Sequence, residues 1–242
     1  MFEARMAQGS VLKKLIDSIR ELVSDANFEV SSDGFELQAM DTSHVCLVSL
    51  MMRDDGFEHY RCDRSRTLGI NLPSLQKVIK CAGNDDSITL KAQDEGDILT
   101  LTFENPNADR ITDFDLKLLD IDCESLSLPN TDYKATLNAI RKQKCSLCRS
   151  LLRNGVSGTV LENKTLMSFP PQGDKDEQQT MIELEEPVSL NFALKYLNMF
   201  VKATPLSETV TLAMSPDTPL VLVYKVGDMG HIRYFLAPKI DE

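Results

Sequence analysis

Residues Ser10–Ser24 read SVLKKLIDSIRELVS. Val11, Leu12, Leu15, Ile16, Ile19, Leu22 and Val23 recur at helical spacing and form one wide apolar face. Lys13, Lys14 and Arg20 stand opposite that face, only partly balanced by Asp17 and Glu21. The pattern predicts a helix over 10–24 with a buried side against a core and a basic side outside. Three more stretches share this design. Leu72–Ala82, LPSLQKVIKCA, puts Pro73 in a first turn, Leu75, Val78, Ile79 and Ala82 on the apolar face, and Lys77 and Lys80 on the other. Arg141–Arg153, RKQKCSLCRSLLR, is less regular. Asn191–Lys202, NFALKYLNMFVK, has an apolar stripe with Lys195 and Lys202 away from it.

Nearly everything between these helices reads as strand. Glu36–Met40, Val45–Met52, Ser87–Ala92, Ile98–Phe103, Thr209–Met214, Leu220–Val226 and His231–Leu236 alternate or are rich in β-branched residues, bounded by Gly, Asn, Asp and Pro. A strand and helix pattern that recurs in two halves predicts an internal duplication and two α+β domains of one layout. Leu118–Asp132, LLDIDCESLSLPNTD, is acidic, carries Pro129 and lacks helical periodicity, which makes it the expected connector. The expected division is 1–117, a connector over 118–134, and 135–242.

The chain has 242 residues, net charge −11 and a pI near 4.8. On average that opposes nucleic-acid binding, because phosphate affinity comes from Lys and Arg. The distribution matters more than the average, and here basic residues share the outer faces of the helices. No apolar run is long enough to span a bilayer, and MFEARMAQGSVLKK lacks the basic-then-apolar pattern of a signal peptide. The expected compartment is therefore the cytosol or nucleus. The six cysteines (46, 62, 81, 123, 145 and 148) read as reduced core residues. Cys145 and Cys148 form a CxxC with no second pair to complete a tetrahedral zinc site. The histidines, His44, His59 and His231, join no Ser/His/Asp or Cys/His arrangement, the acidic residues form no metal-ligand spacing, and no phosphate-loop motif is present. No catalytic residue, metal or cofactor is expected.

Several long blocks carry a resemblance: DTSHVCLVSL (Asp41–Leu50), GFEHYRCDRS (Gly56–Ser65), NLPSLQKVIKCAGNDDSITL (Asn71–Leu90), FALKYLNMFVKATPLSETVTLAMS (Phe192–Ser215) and YKVGDMGHIRYFLAPKI (Tyr224–Ile240). Together they resemble the proliferating cell nuclear antigen family, the eukaryotic DNA sliding clamps, over Met1–Tyr133 and Glu183–Glu242. The resemblance implies a two-domain α+β clamp fold, three identical chains in a ring, helices lining the hole and antiparallel sheets forming the outer wall. It implies a nuclear processivity factor that encircles duplex DNA without reading sequence. It also implies that a replicative DNA polymerase, clamp loader, flap nuclease and ligase dock through a short motif. Two other readings stay open: a subunit of a heteromeric checkpoint-type clamp, and an acidic peptide-binding scaffold that never closes on DNA.

Carried over by position, the resemblance gives Lys13, Lys14, Arg20, Lys77, Lys80, Arg110, Arg149 and Lys202 as DNA-facing residues. Each taken alone equally fits a solvated helix face. It gives a docking pocket under the connector from Met40, His44, Val45, Leu47, Leu126, Leu128, Pro129, Tyr133, Pro219, Phe235, Ala237, Pro238 and Ile240. For Val45 and Leu47 ordinary core packing is the alternative. Lys164 falls where the family carries a lysine modified by ubiquitin-like proteins, and a solvated loop lysine fits it as well. Between 138 and 181 the sequence departs from the family pattern and is about a hairpin short. In the family, an edge strand of the second domain pairs with the neighbouring chain's first-domain edge, for which RITDFDLK (Arg110–Lys117) is the match. The complementary strand is expected inside the divergent segment, which would weaken the ring-closing contact.

Overall fold

The stretch that opens the reading above folds as helix α1 over Gly9–Ile19, shorter than its apolar periodicity predicts. Leu22 and Val23 turn their N–H groups back to the Ile19 carbonyl (2.9 and 3.2 Å). That tight turn keeps both side chains buried while directing the chain into a strand at Asp25. The computed structural model describes residues 1–105, 109–122, 133, 135–140, 157–161, 164–168, 180–184, 189–216 and 218–239.

Strand β1 (Phe2–Met6) precedes α1; β2 (Asp25–Ser31), β3 (Gly34–Met40), β4 (Cys46–Arg53), β5 (His59–Cys62) and β6 (Arg66–Asn71) follow it. Helix α2 (Leu72–Ile79) leads to β7 (Ser87–Ala92), β8 (Ile98–Asn105) and β9 (Arg110–Lys117). Then come β10 (Ala135–Ile140), β11 (Ser157–Leu161), β12 (Lys164–Ser168), β13 (Thr180–Leu184) and β14 (Ser189–Ala193). Helix α3 (Leu194–Phe200) continues as a 3-10 helix over Val201–Leu206, before β15 (Thr209–Met214), β16 (Leu220–Val226) and β17 (Gly230–Leu236).

The helices differ in detail from the periodicity. In α2, Asn71 caps the first turn by accepting from the Ser74 N–H at 3.0 Å, with Pro73 where its missing donor costs nothing. The helix stops at Ile79, since the Cys81 and Ala82 N–H groups reach back only three residues, to the Val78 and Ile79 carbonyls. Residues 191–193, expected as helix, belong to β14, and Lys202 lies on the 3-10 helix with Pro205. The expected helix Arg141–Arg153 lies outside the described residues. Strands β1, β2, β5, β6 and β9–β14 are additions to those the alternation singled out.

All described strand pairs are antiparallel. One sheet runs β5-β1-β7-β8-β9, a second runs β13-β10-β15-β16-β17-β4-β3-β2-β6, and a third runs β11-β12-β14. In the nine-stranded sheet β17 pairs with β4 through seven consecutive residues, from Gly230↔Met52 to Leu236↔Cys46. One face of that sheet turns to the core: half-buried Ala39 and buried Val48, Tyr234, Leu222 and Leu212 stand in register across five strands. Tyr234 stacks on Phe200 at 4.6 Å between ring centres, which seats α3 on this face. Gly34 opens β3 with φ 137°, and a Cβ there would lie 2.0 Å from the Met52 carbonyl oxygen, so glycine is required.

The β17–β4 seam is secured at one end by Asp41. Its buried carboxylate accepts the Val45 and Cys46 N–H groups (both 2.8 Å), the Ser43 N–H (3.2 Å) and the Tyr196 hydroxyl (2.6 Å), tying the β3–β4 loop to α3. Burial pushes the Asp41 pKa up, but the Tyr196 hydroxyl and the backbone donors outweigh it and hold the carboxyl below its ordinary range. Further along the seam, burial pushes the His231 pKa down to about 4, with Arg233 and Arg53 adding to the effect. Both groups take up protons more readily in the unfolded chain, so each contribution is present at neutral pH and lost on acidification. Melting temperature is expected to fall in two stages. The first runs from about pH 6.5 to about 4 and is removed by His231→Gln. The second lies below about pH 4 and is reduced in Tyr196→Phe, which also costs about 1.5 kcal/mol at neutral pH. Thermal melts across pH check both.

Candidate nucleic-acid face and docking face

The three described helices form one layer. The Gln76 amide donates to Asp17 Oδ1, linking α2 to α1, and Lys202 pairs with Glu21, linking the 3-10 helix to α1. Lys13, half-buried, donates to the Ala82 carbonyl and closes the end of α2. Arg20 is held by Asp17 and Glu21, 3.5 and 3.8 Å away. Lys14, Lys77, Lys80, Lys195 and Lys202 all project to solvent from this layer. No carboxylate among the described residues lies within 4 Å of Lys14, Lys77 or Lys80, so their charge is available to an anion. Lys195, which the site reading above does not include, sits 4.5 Å from the centre of the Tyr196 ring.

Arg110 belongs to a different setting. It opens β9, and its guanidinium binds Asp86 at 3.0 Å, a side chain with no exposed surface. Asp86 also accepts the Gly83 N–H and the Asn105 amide, both at 2.7 Å. The Gly83 N–H, against the cost of burial, and then Arg110 hold its carboxyl below the ordinary range. Arg110 thus serves as counter-charge to the loop after α2. Arg149 lies outside the described residues. The outer side of β9 has no strand partner among the described residues, and Ile111 on it is 68% exposed.

The opposite face of the nine-stranded sheet carries several residues of the expected docking pocket. Register places Met40, Leu47, Phe235, Val221 and Ala213 side by side across β3, β4, β17, β16 and β15. Because cross-strand partners share a face, these five form one apolar row, separate from the main core. Tyr133 and Val223 pack against it. Met40 is 36% exposed at one end, while Phe235, Val221 and Ala213 are buried. The next row on the same face is Gln38, Ser49, Arg233, Val223 and Thr211, so the apolar strip has a largely polar border.

His44 is exposed in the β3–β4 loop at φ 54°, in the turn that Asp41 organises. Val45 accepts the Ala237 N–H at 3.0 Å, which brings Ala237 and Pro238 beside that loop, and Pro219 leads into β16. Leu47 is half-buried in the outer row, packed against Phe235, Val221 and Ala213. Leu126, Leu128, Pro129 and Ile240 lie outside the described residues, as do Cys123, Cys145 and Cys148. Lys164 opens β12. Val221, Ala213 and Val223 escape sequence reading because they look like any strand residue; only their register identifies them. Among the described residues no group of three His, Cys, Asp or Glu side chains is placed to hold a metal ion. No helix among them is long and apolar enough to cross a membrane.

Comparison with known protein families agrees with this arrangement. The model for the N-terminal domain of proliferating cell nuclear antigen matches residues 1–126, and that for the C-terminal domain matches residues 149–239. Most of the segment 138–181, where the resemblance lapses, lies within the span of the second match. With two such domains in one polypeptide, the chain belongs to the proliferating cell nuclear antigen family of DNA sliding clamps, which are processivity factors and not enzymes.

Proposed function

We propose that this chain is one subunit of a homotrimeric ring that encircles duplex DNA in the nucleus and tethers replication and repair proteins to it. One observation carries the reading: exposed lysines with no carboxylate within 4 Å among the described residues stand on the helix layer, and an apolar row stands on the opposite sheet face of the same scaffold. The first surface suits phosphates inside a ring and the second suits partners outside it. The domains are taken as 1–117 and 135–242, with 118–134 between them.

Sliding demands contacts that hold position without reading bases, and lysine–phosphate contacts do this. Lys14, Lys77 and Lys80 supply them most directly, with Lys13, Arg20, Arg110, Arg149 and Lys202 around them. Retention then comes from ring closure, so weak and salt-sensitive contacts suffice. The free edge of β9, with Ile111, suits pairing with a second copy of the chain. Polymerase, clamp loader, flap nuclease and ligase dock by a short motif whose apolar anchors fill the strip from Met40 to Ala213, bounded by His44, Val45, Pro219, Ala237 and Pro238 and by Leu126, Leu128, Pro129 and Ile240. Lys164 is the position for attachment of a ubiquitin-like protein.

Light scattering is expected to give a mass near three times 27.1 kDa that persists on dilution. A monomer would mean that the chain does not close a ring. On a primed circular template the protein should stimulate polymerase synthesis, and Lys77→Glu with Lys80→Glu should reduce this roughly ten-fold or more while solution mass stays the same. Affinity for short linear DNA should be low and fall steeply with salt.

A further inference from the structure

The solvent face of the five-stranded sheet ends in a cleft of about 450 Å³ between β1, β7, β8 and β9. Along it runs one cross-strand row, Ser87, Glu104 and Ile111, whose side chains share a face because they are register partners. Arg5 and Glu58 line one side, and Asp85 and Asp109, which precede β7 and β9, line the other parts of the rim. A volume of this size is in the range of small-molecule sites. The cleft shares no residue with the docking face.

Ser87 is an odd residue for this place. It is only 7% exposed, and its buried Oγ has no hydrogen-bond partner among the described residues. An unpaired buried hydroxyl is a burden on the sheet unless something in the cleft supplies its partner. An apolar β-branched side chain would fill the position without that burden. The hydroxyl oxygen is open to accept from an N–H donor.

The charge around Ser87 selects the donor. The Arg5 Nε donates to Glu58 at 2.9 Å, and its Nη1 lies 2.7 Å from Glu104. Arg110 also lines the cleft, but its guanidinium is bound to Asp86 at 3.0 Å. Asp85 and Asp109 have no cationic side chain within 4 Å among the described residues. Four carboxylates therefore share the one guanidinium of Arg5, which favours a cationic guest. The acids do not converge, since no three of them are placed to hold a metal ion. Positive charges spaced along a flexible chain match separated carboxylates better than one concentrated charge does. Ile111, 68% exposed, offers an apolar wall to the methylenes between those charges.

We infer that this cleft binds an alkyl polyamine. Its ammonium groups pair with Asp85, Asp109 and the Glu58–Glu104 side, one N–H is accepted by Ser87 Oγ, and its methylenes lie against Ile111. Pairing of β9 with another copy runs in the plane of the sheet, so guest and ring are compatible. The probe is spermidine, titrated calorimetrically into the full chain at physiological ionic strength, with the Ile111 δ1 methyl NMR signal as local reporter. Saturable binding that moves this signal is expected. Ser87→Val leaves every charge in place, and Asp109→Asn leaves the Arg5 pairs in place. Each should weaken spermidine roughly three- to ten-fold. The melting temperature of Ser87→Val should match or exceed that of the parent, which separates lost binding from lost folding. Unchanged affinity in Ser87→Val would reduce the effect to general attraction by an acidic protein and overturn the site. Titration without saturation would do the same. Binding of N-acetyl-lysine amide as tight as that of spermidine would overturn the polyamine assignment and put a single lysine side chain of a partner in its place.

Discussion

Seven residue pairs between β17 and β4 govern the rest of the molecule, because they fuse strands from the two ends of the chain into one sheet. Side chains alternate between faces with a period of two, so a slip of one residue would exchange the faces along the whole seam. In the observed register Tyr234 and Val48 look into the core while Phe235 and Leu47 look out. The helix layer and the apolar strip owe their separation to that alternation. Both ends of the seam are pinned. Asp41 and its donors hold one, and at the other Arg53 donates its backbone N–H to the Met229 carbonyl and its guanidinium to the Asp228 carbonyl (2.8 and 2.5 Å).

The second constraint is electrostatic. A chain of net charge −11 presents a cationic surface only if its acids are placed elsewhere or neutralised. On the helix layer Asp17 and Glu21 are occupied by Arg20, Gln76 and Lys202. Glu3, Glu104, Asp113 and Asp115 sit on the five-stranded sheet, where Asp113 and Asp115 accept the Thr102 and Thr100 hydroxyls (2.6 and 2.7 Å). Net charge therefore describes solubility and long-range repulsion, while the local cluster of lysines decides what binds at the helices.

The chain between β9 and β10 is described at its two ends. Its root is tied to the edge of the sheet by backbone at Gly69 and by a side chain at Asn27, and its far end rests on the outer row through Tyr133.

Helical periodicity by itself determined which residues of α1, α2 and α3 face the core and that their outer faces are basic. Alternation located β3, β4, β7, β8 and β15–β17, and the family resemblance carried Met40, Leu47, Tyr133 and Phe235 to one expected surface. Helix ends were less legible, because Leu22, Val23 and Ala82 remain buried in turns after the helices have stopped. What only the tertiary structure decided were the partnerships. Val221 and Ala213 join the outer row through register, Asp41 meets Tyr196 across 155 positions, and Asn27 meets Ile121 across 94. Periodicity reports the face on which a side chain stands. It carries no information about which distant strand will lie alongside, and that pairing is where this protein's surfaces are made.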